Sequence, residues 1–171
     1  GHSDHARRGH QAVLATAETL GVMRIRLGDR SVRTSQALTL GRSLRIGDVD
    51  VRLAPAGHVF GSAHVLMDYR GERAVVTGDY KRRAAPRWPP CEPVACDLFV
   101  NGATCGLPVY RHPPAMAEMQ RLLQSLALFT DRPHVIGAYS FGKAQRMLAL
   151  IRATGYDQPI WLHPTLWQVT D

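Results

Sequence analysis

Cysteine is scarce in this chain: Cys91, Cys96 and Cys105 are three among 171 residues, an odd number with no CxxC spacing. They fit neither a disulfide framework nor a cysteine-ligated zinc site, and a reducing, cytoplasmic setting is the simpler expectation. No apolar run approaches the roughly 18 residues that a membrane-spanning helix requires. No signal-peptide pattern opens the chain, so placement within a membrane is not expected. The first residue is Gly1 rather than methionine, so a start further upstream is expected, and any targeting signal would lie there too. Internal repeats and low-complexity tracts are absent. Acidic residues are also few, 14 against 21 Lys plus Arg, a formal net charge of +7. That excess favours a polyanionic partner. A basic protein with solvated arginines accounts for the charge equally well.

The chain is 45% hydrophobic, too apolar for disorder and long enough to bury one sizeable core. Residues 11–16 form a short apolar stretch that suits a strand. Residues 17–27 follow with helical spacing of Leu20, Met23 and Leu27, closed by Gly28. From residue 31 to 79 the pattern is of strands. Val49, Val51 and Leu53 alternate with Asp50 and Arg52. Residues 65–69 and 74–77 flank Arg70-Gly71, which reads as a hairpin turn. Residues 84–93 hold Pro86, Pro89, Pro90 and Pro93 and read as an irregular connection.

Beyond this the order becomes strand then helix. Strands are predicted over 97–100, 134–139 and 159–162, and helices over 113–128 and 142–154. In the first helix Met116, Met119, Leu122, Leu123 and Leu126 share one side. This alternation implies βα units with parallel pairing, hence an α/β fold with a boundary near residue 105.

Three short pieces carry candidate chemistry. Gly1-His2-Ser3-Asp4-His5 sets two imidazoles and a carboxylate within four residues, a nitrogen and oxygen mixture that borderline cations such as zinc accept. Gly57-His58-Val59-Phe60-Gly61-Ser62-Ala63-His64 places a histidine on a glycine-flanked loop after a strand. Thr77-Gly78-Asp79-Tyr80-Lys81-Arg82 places a carboxylate just past an apolar strand. Each piece alone is weak, since a lone histidine is usually structural and a strand-end Gly-Asp is usually a turn. His64, His112 and His163, taken singly, are read in that structural sense.

In their order, HSDH, GHVFGSAH and TGDYKR resemble the metal-binding motifs of the metallo-β-lactamase fold. More specifically they resemble its nuclease branch with a β-CASP insert. The chain is most similar to the DNA ligase-associated exonuclease group, which is itself similar to the mRNA 3′-end-processing nucleases. NGATCGLP and GAYSFGKAQR carry the likeness into the second half. The resemblance implies a partial αββα sandwich over 1–105 and a partial β-CASP α/β insert over 106–171.

It also implies two zinc ions. His2 and His58 would serve the first, Asp4 and His5 the second, and Asp79 would bridge both. Such a pair, about 3.5–4 Å apart, lowers the pKa of bound water and clamps a phosphodiester. Asp4 and Asp79 are then the catalytic carboxylates, with Asp4 placed to orient or deprotonate the water. Lys81, Arg82, Lys143 and Arg146 would meet substrate phosphates, the last two at a helix start whose amides suit an anion. A solvated surface is the plain alternative for each of these cations.

The implied activity is exonucleolytic hydrolysis of DNA in repair. An RNA 3′-end-processing nuclease of the same branch and a non-catalytic nucleic-acid-binding member are the alternatives. An ATP-dependent DNA ligase or a helicase is the implied protein partner. Three departures stand out. The pattern's first histidine would precede Gly1, its last histidines are missing, and its acidic residue in TEATFG is Gly102 here. A piece of a longer enzyme is expected, a degenerate member being the alternative, and the chain by itself is expected to be weakly active or inactive.

Overall fold

The structure is a computed structural model, and it describes residues 6–103 and 106–169. The chain divides into two compact units, Gly1–Gly102 and Ala103–Asp171.

The first unit opens with a β-α-β turn of chain. Strand β1 (His10–Ala15) leads into helix α1 (Ala17–Leu27), and β2 (Val32–Ala37) returns parallel to β1. The Thr16 hydroxyl oxygen caps α1 by accepting the Thr19 amide, and Gly28 ends it with a positive φ. Leu20 and Met23 are the buried face of α1, as their spacing predicts.

The remaining strands form one sheet in sequential order: β3 (Ser43–Ile46), β4 (Val49–Pro55), β5 (Ala63–Tyr69), β6 (Glu72–Val76) and β7 (Leu98–Val100). The first four run antiparallel to their neighbours, and β7 joins β6 in parallel. Arg70 and Gly71 both take positive φ between β5 and β6, the mirror-image turn whose twist suits a hairpin.

Period-two alternation divides the sheet into two faces. Leu66 lies opposite Val75, and Ala54 lies opposite His64, so these four residues share one face. Ala54, Leu66 and Val75 form its buried core. Val94 and Cys96, from the proline-rich strap between β6 and β7, pack against that core. At the other end of the same face Arg73 grips the Asp68 carboxylate at 2.6 and 3.1 Å, and its backbone amide donates to Asp97 at 2.7 Å.

The second unit holds helices α2 (Ala115–Leu128) and α3 (Lys143–Ala153) and a 3-10 turn, Pro164–Val169. Its buried apolar residues are Met119, Ala144 and Ile151. Two expectations fail here. Residues 134–139 and 159–162 are not strands, and no βα pairing occurs among the described residues of this unit. A strand exists only where a neighbour accepts and donates its backbone hydrogen bonds, and neither segment has one. Val135 and Trp161 in them stand in solvent, at 93% and 94% exposure. Met116, expected on the buried side of α2, is exposed. Parallel pairing is found instead in the first unit, at β1–β2 and β6–β7.

Leu66 has no exposed surface and sits between the sheet and the strap. Leu66→Ala is expected to cost about 2–5 kcal/mol by loss of transfer energy plus a cavity, read as a lowered urea midpoint with an unchanged slope.

Candidate metal centre

Strands β4 and β6 are each antiparallel to β5, so they run the same way and end at the same edge of the sheet. Strand β7, parallel to β6, ends there too. Three chain segments therefore leave the sheet side by side: the loop after β4 with His58, the turn after β6 with Asp79, and Asn101-Gly102 after β7.

Local hydrogen bonds shape each segment. Ser62 Oγ accepts the amides of His58 and Val59, both at 3.1 Å, and the Ala56 amide donates to the Ser62 carbonyl. The Lys81 amide donates to the Ala56 carbonyl at 2.9 Å, which ties the β6 turn to the β4 loop. Gly57 lies at the crossing with φ +69°. A Cβ there would come within 2.5 Å of both Cys91 N and Lys81 O, so no other residue fits without backbone movement. Trp88 covers the loop, donating from Nε1 to the Gly57 carbonyl at 3.0 Å. On the far side of the loop, the hydroxyls of Thr16 and Thr19 donate to the Gly61 carbonyl at 2.8 and 2.9 Å, which seats the start of α1.

The outcome is that His58 Nε2 stands 3.8 Å from Asp79 Oδ2, with both side chains part-exposed. That is too long for a hydrogen bond. Two ligands about 2.0–2.2 Å from one tetrahedral zinc stand roughly 3.3–3.6 Å apart, close to the observed span. An imidazole nitrogen and a carboxylate oxygen also suit zinc chemically. His2, Asp4 and His5 lie outside the described residues. Among the described residues no cluster of three or more His, Cys, Asp or Glu side chains is arranged to hold an ion.

No family model matches the chain. It is 33% identical, over 99% of its length, to a probable DNA ligase of Opitutus terrae. It is 25% identical over 72% of its length both to the cleavage and polyadenylation specificity factor subunit 3 of Dictyostelium discoideum and to the endoribonuclease ysh1 of Aspergillus fumigatus. The alignments span 16%, 16% and 14% of those proteins, respectively. Among solved structures, a protein of unknown function from Enterococcus faecalis superposes with a TM-score of 0.51 at 18% identity, over 81% of this chain and 38% of that one. That likeness speaks to the fold alone. These likenesses agree with the resemblance to metallo-β-lactamase/β-CASP nucleases that the motifs carry.

In the β-CASP pattern an acidic side chain occupies the position of Gly102. A Cβ at Gly102 would stand 3.6 Å from Asp79 Oδ1, an ordinary contact distance, so that position borders Asp79. Glycine leaves the space beside Asp79 open. Of the expected phosphate contacts, Lys81 is half-buried and Arg82 is exposed beside Asp79 in sequence. Lys143 and Arg146 belong to the second unit. Lys143 Nζ lies 4.6 Å over the Tyr139 ring. Arg146 Nε is buried without a hydrogen-bond partner among the described residues. The anion-ready helix start expected at α3 is already occupied in part: the Gly142 amide donates to Gln145 Oε1 at 2.7 Å and the Ala144 amide to the Tyr139 carbonyl.

One histidine read from the sequence as structural is buried and hydrogen-bonded, as that reading expects. His64, only 4% exposed, places Nδ1 3.2 Å from the Thr77 carbonyl oxygen and Nε2 3.3 Å from Cys91 Sγ. The available signal was its alternation with Leu66 on β5, which puts it on the buried face. Burial lowers the His64 pKa and raises that of the Cys91 thiol.

Because the folded His64 resists protonation, the unfolded chain takes up a proton first as the medium acidifies. Its stabilising contribution is full above the ordinary imidazole pKa of 6.5 and is lost progressively as pH falls below it. The midpoint in urea is expected to drop between pH 7 and pH 5.5 and to drop less in His64→Asn.

Proposed function

We propose that this chain contributes to a zinc-dependent centre that hydrolyses phosphodiester bonds in nucleic acid, as an exonuclease on DNA in repair. Residues 1–105 are read as part of a metallo-β-lactamase sandwich and residues 106–171 as the first part of a β-CASP insert. The carrying observation is the 3.8 Å approach of His58 and Asp79 from separate loops at one sheet edge. The relatedness of the chain to proteins named as an endoribonuclease and as a DNA ligase supports a nucleic-acid substrate.

On this reading His2, Asp4, His5, His58 and Asp79 would hold the zinc. Bound zinc supplies Lewis acidity and a lowered pKa for water. The chain's own side chains do the rest. The Ser62-closed loop aims the His58 imidazole, and the Gly78 turn presents the Asp79 carboxylate. Asp4 would orient or deprotonate water there. Lys81 and Arg82 offset phosphate charge, as Lys143 and Arg146 would on the second unit. A DNA ligase or helicase is the proposed partner. The free thiols of Cys91 and Cys96 suit a reducing cytoplasm. No helix among the described residues is long and apolar enough to cross a membrane.

RNA as substrate is the second reading, favoured by the endoribonuclease named among the relatives. A non-catalytic nucleic-acid-binding role is the third, favoured by Gly102.

Zinc titration of the full chain tests the centre. His58→Ala and Asp79→Asn are each expected to weaken zinc binding at least tenfold with unchanged circular dichroism; wild-type affinity in both variants overturns the reading. End-labelled DNA and RNA strands of matched sequence then separate the substrates. Weak, chelator-sensitive shortening of DNA is expected. RNA shortened in preference supports the second reading, and salt-sensitive binding without cleavage supports the third.

A further inference from the structure

We infer that His64 is a positioning residue, fixing the start of the turn that presents Asp79 and fastening that turn to the strap through Cys91. The inference rests on the reading of Asp79 as a metal ligand, and it concerns a residue outside the proposed ligand set.

His64 projects from β5 on the same sheet face as Ala54, Leu66 and Val75, beneath the strap. A carbonyl oxygen only accepts, so Nδ1 must carry the proton that bonds Thr77 O at 3.2 Å. In a neutral ring Nε2 is then an acceptor, and the Cys91 thiol at 3.3 Å is its donor. The two bonds form a relay from strap to strand end: Cys91 S–H to imidazole, imidazole N–H to Thr77. The Tyr80 ring meets the imidazole edge-on, with centroids 5.8 Å apart, so the far side of the turn also rests on His64.

Thr77 is the pivot. It is 2% exposed, and its amide donates to the Val100 carbonyl at 3.0 Å, its hydroxyl to the Gly78 carbonyl at 2.7 Å. With His64 on its own carbonyl, Thr77 is held from both sides. Gly78 then reverses direction at φ +56°, and Asp79 is next. A small rotation at Thr77 would swing Asp79 relative to His58, whose loop is held at Ser62 and Trp88 and joined to the turn only past Asp79, at Lys81. A carboxylate that must meet a tetrahedral ion tolerates little such error.

The test uses two substitutions. His64→Asn keeps a donor near the Nδ1 position and gives up the bond to Cys91. His64→Leu keeps apolar volume and gives up both bonds. In the metal-free chain, amide exchange at Gly78 and Asp79 is expected to quicken at least tenfold in His64→Leu and less than threefold in His64→Asn, with β3–β4 amides unchanged. With zinc alone as probe, affinity is expected to fall at least tenfold in His64→Leu and to be largely kept in His64→Asn. Wild-type exchange at Gly78 and Asp79 in His64→Leu overturns the inference, as does uniform acceleration across the sheet in both variants, which would mark a purely structural core residue. Local acceleration at the turn while Asp79→Asn keeps wild-type zinc affinity upholds the positioning role and overturns the metal reading instead.

Discussion

The backbone bond from the Lys81 amide to the Ala56 carbonyl holds the candidate site together. It joins the segments that follow β4 and β6, which the strand order has already brought to one edge of the sheet. Its geometry demands that the two backbones nearly touch, and Gly57 is what permits the approach. With that crossing in place, the strap lies across the loop, Trp88 bonds to the Gly57 carbonyl, and the Glu92 amide reaches the Pro55 carbonyl at 2.9 Å. The proximity of His58 and Asp79 thus follows from main-chain contacts, and these do not depend on the two side chains attracting each other. A site built this way is organised before any ligand arrives, which lowers the ordering cost of binding.

The polar groups beneath the site are organised differently from those at its surface. At the surface, His58 and Asp79 are part-exposed and open to solvent exchange. Beneath it, His64 and Thr77 are buried; the imidazole bonds to Thr77 and Cys91 in other segments, and the Thr77 hydroxyl to the adjacent Gly78 carbonyl. Burial raises the cost of leaving such groups unmatched, so the bonds are directional constraints on the backbone as well as sources of stability. The two helices of the second unit bury few residues, and its long apolar side chains at Val135 and Trp161 stand in solvent.

Much of the first unit was legible in local pattern. The α1 spacing of Leu20 and Met23, the alternation of Val49, Val51 and Leu53, and the Arg70-Gly71 turn each express a short-range rule of helix, strand or hairpin geometry. The failures fall where the rule needed a remote partner. Residues 134–139 and 159–162 have strand-like composition without a strand beside them. His64, read from the sequence as structural, is buried and hydrogen-bonded, but its partners Thr77 and Cys91 lie 13 and 27 residues away, where local pattern does not point.

By itself the sequence determined the residue types able to bind a cation, the order of the segments bearing them, and the resemblance those motifs carry. Tertiary structure alone decided that His58 and Asp79 are neighbours, that Gly102 borders the carboxylate, and that a buried imidazole supports the turn. The physical reason is that side-chain chemistry and backbone periodicity are local properties of a chain. Proximity between loops is set by strand pairing and by main-chain hydrogen bonds that close only when the whole sheet is assembled.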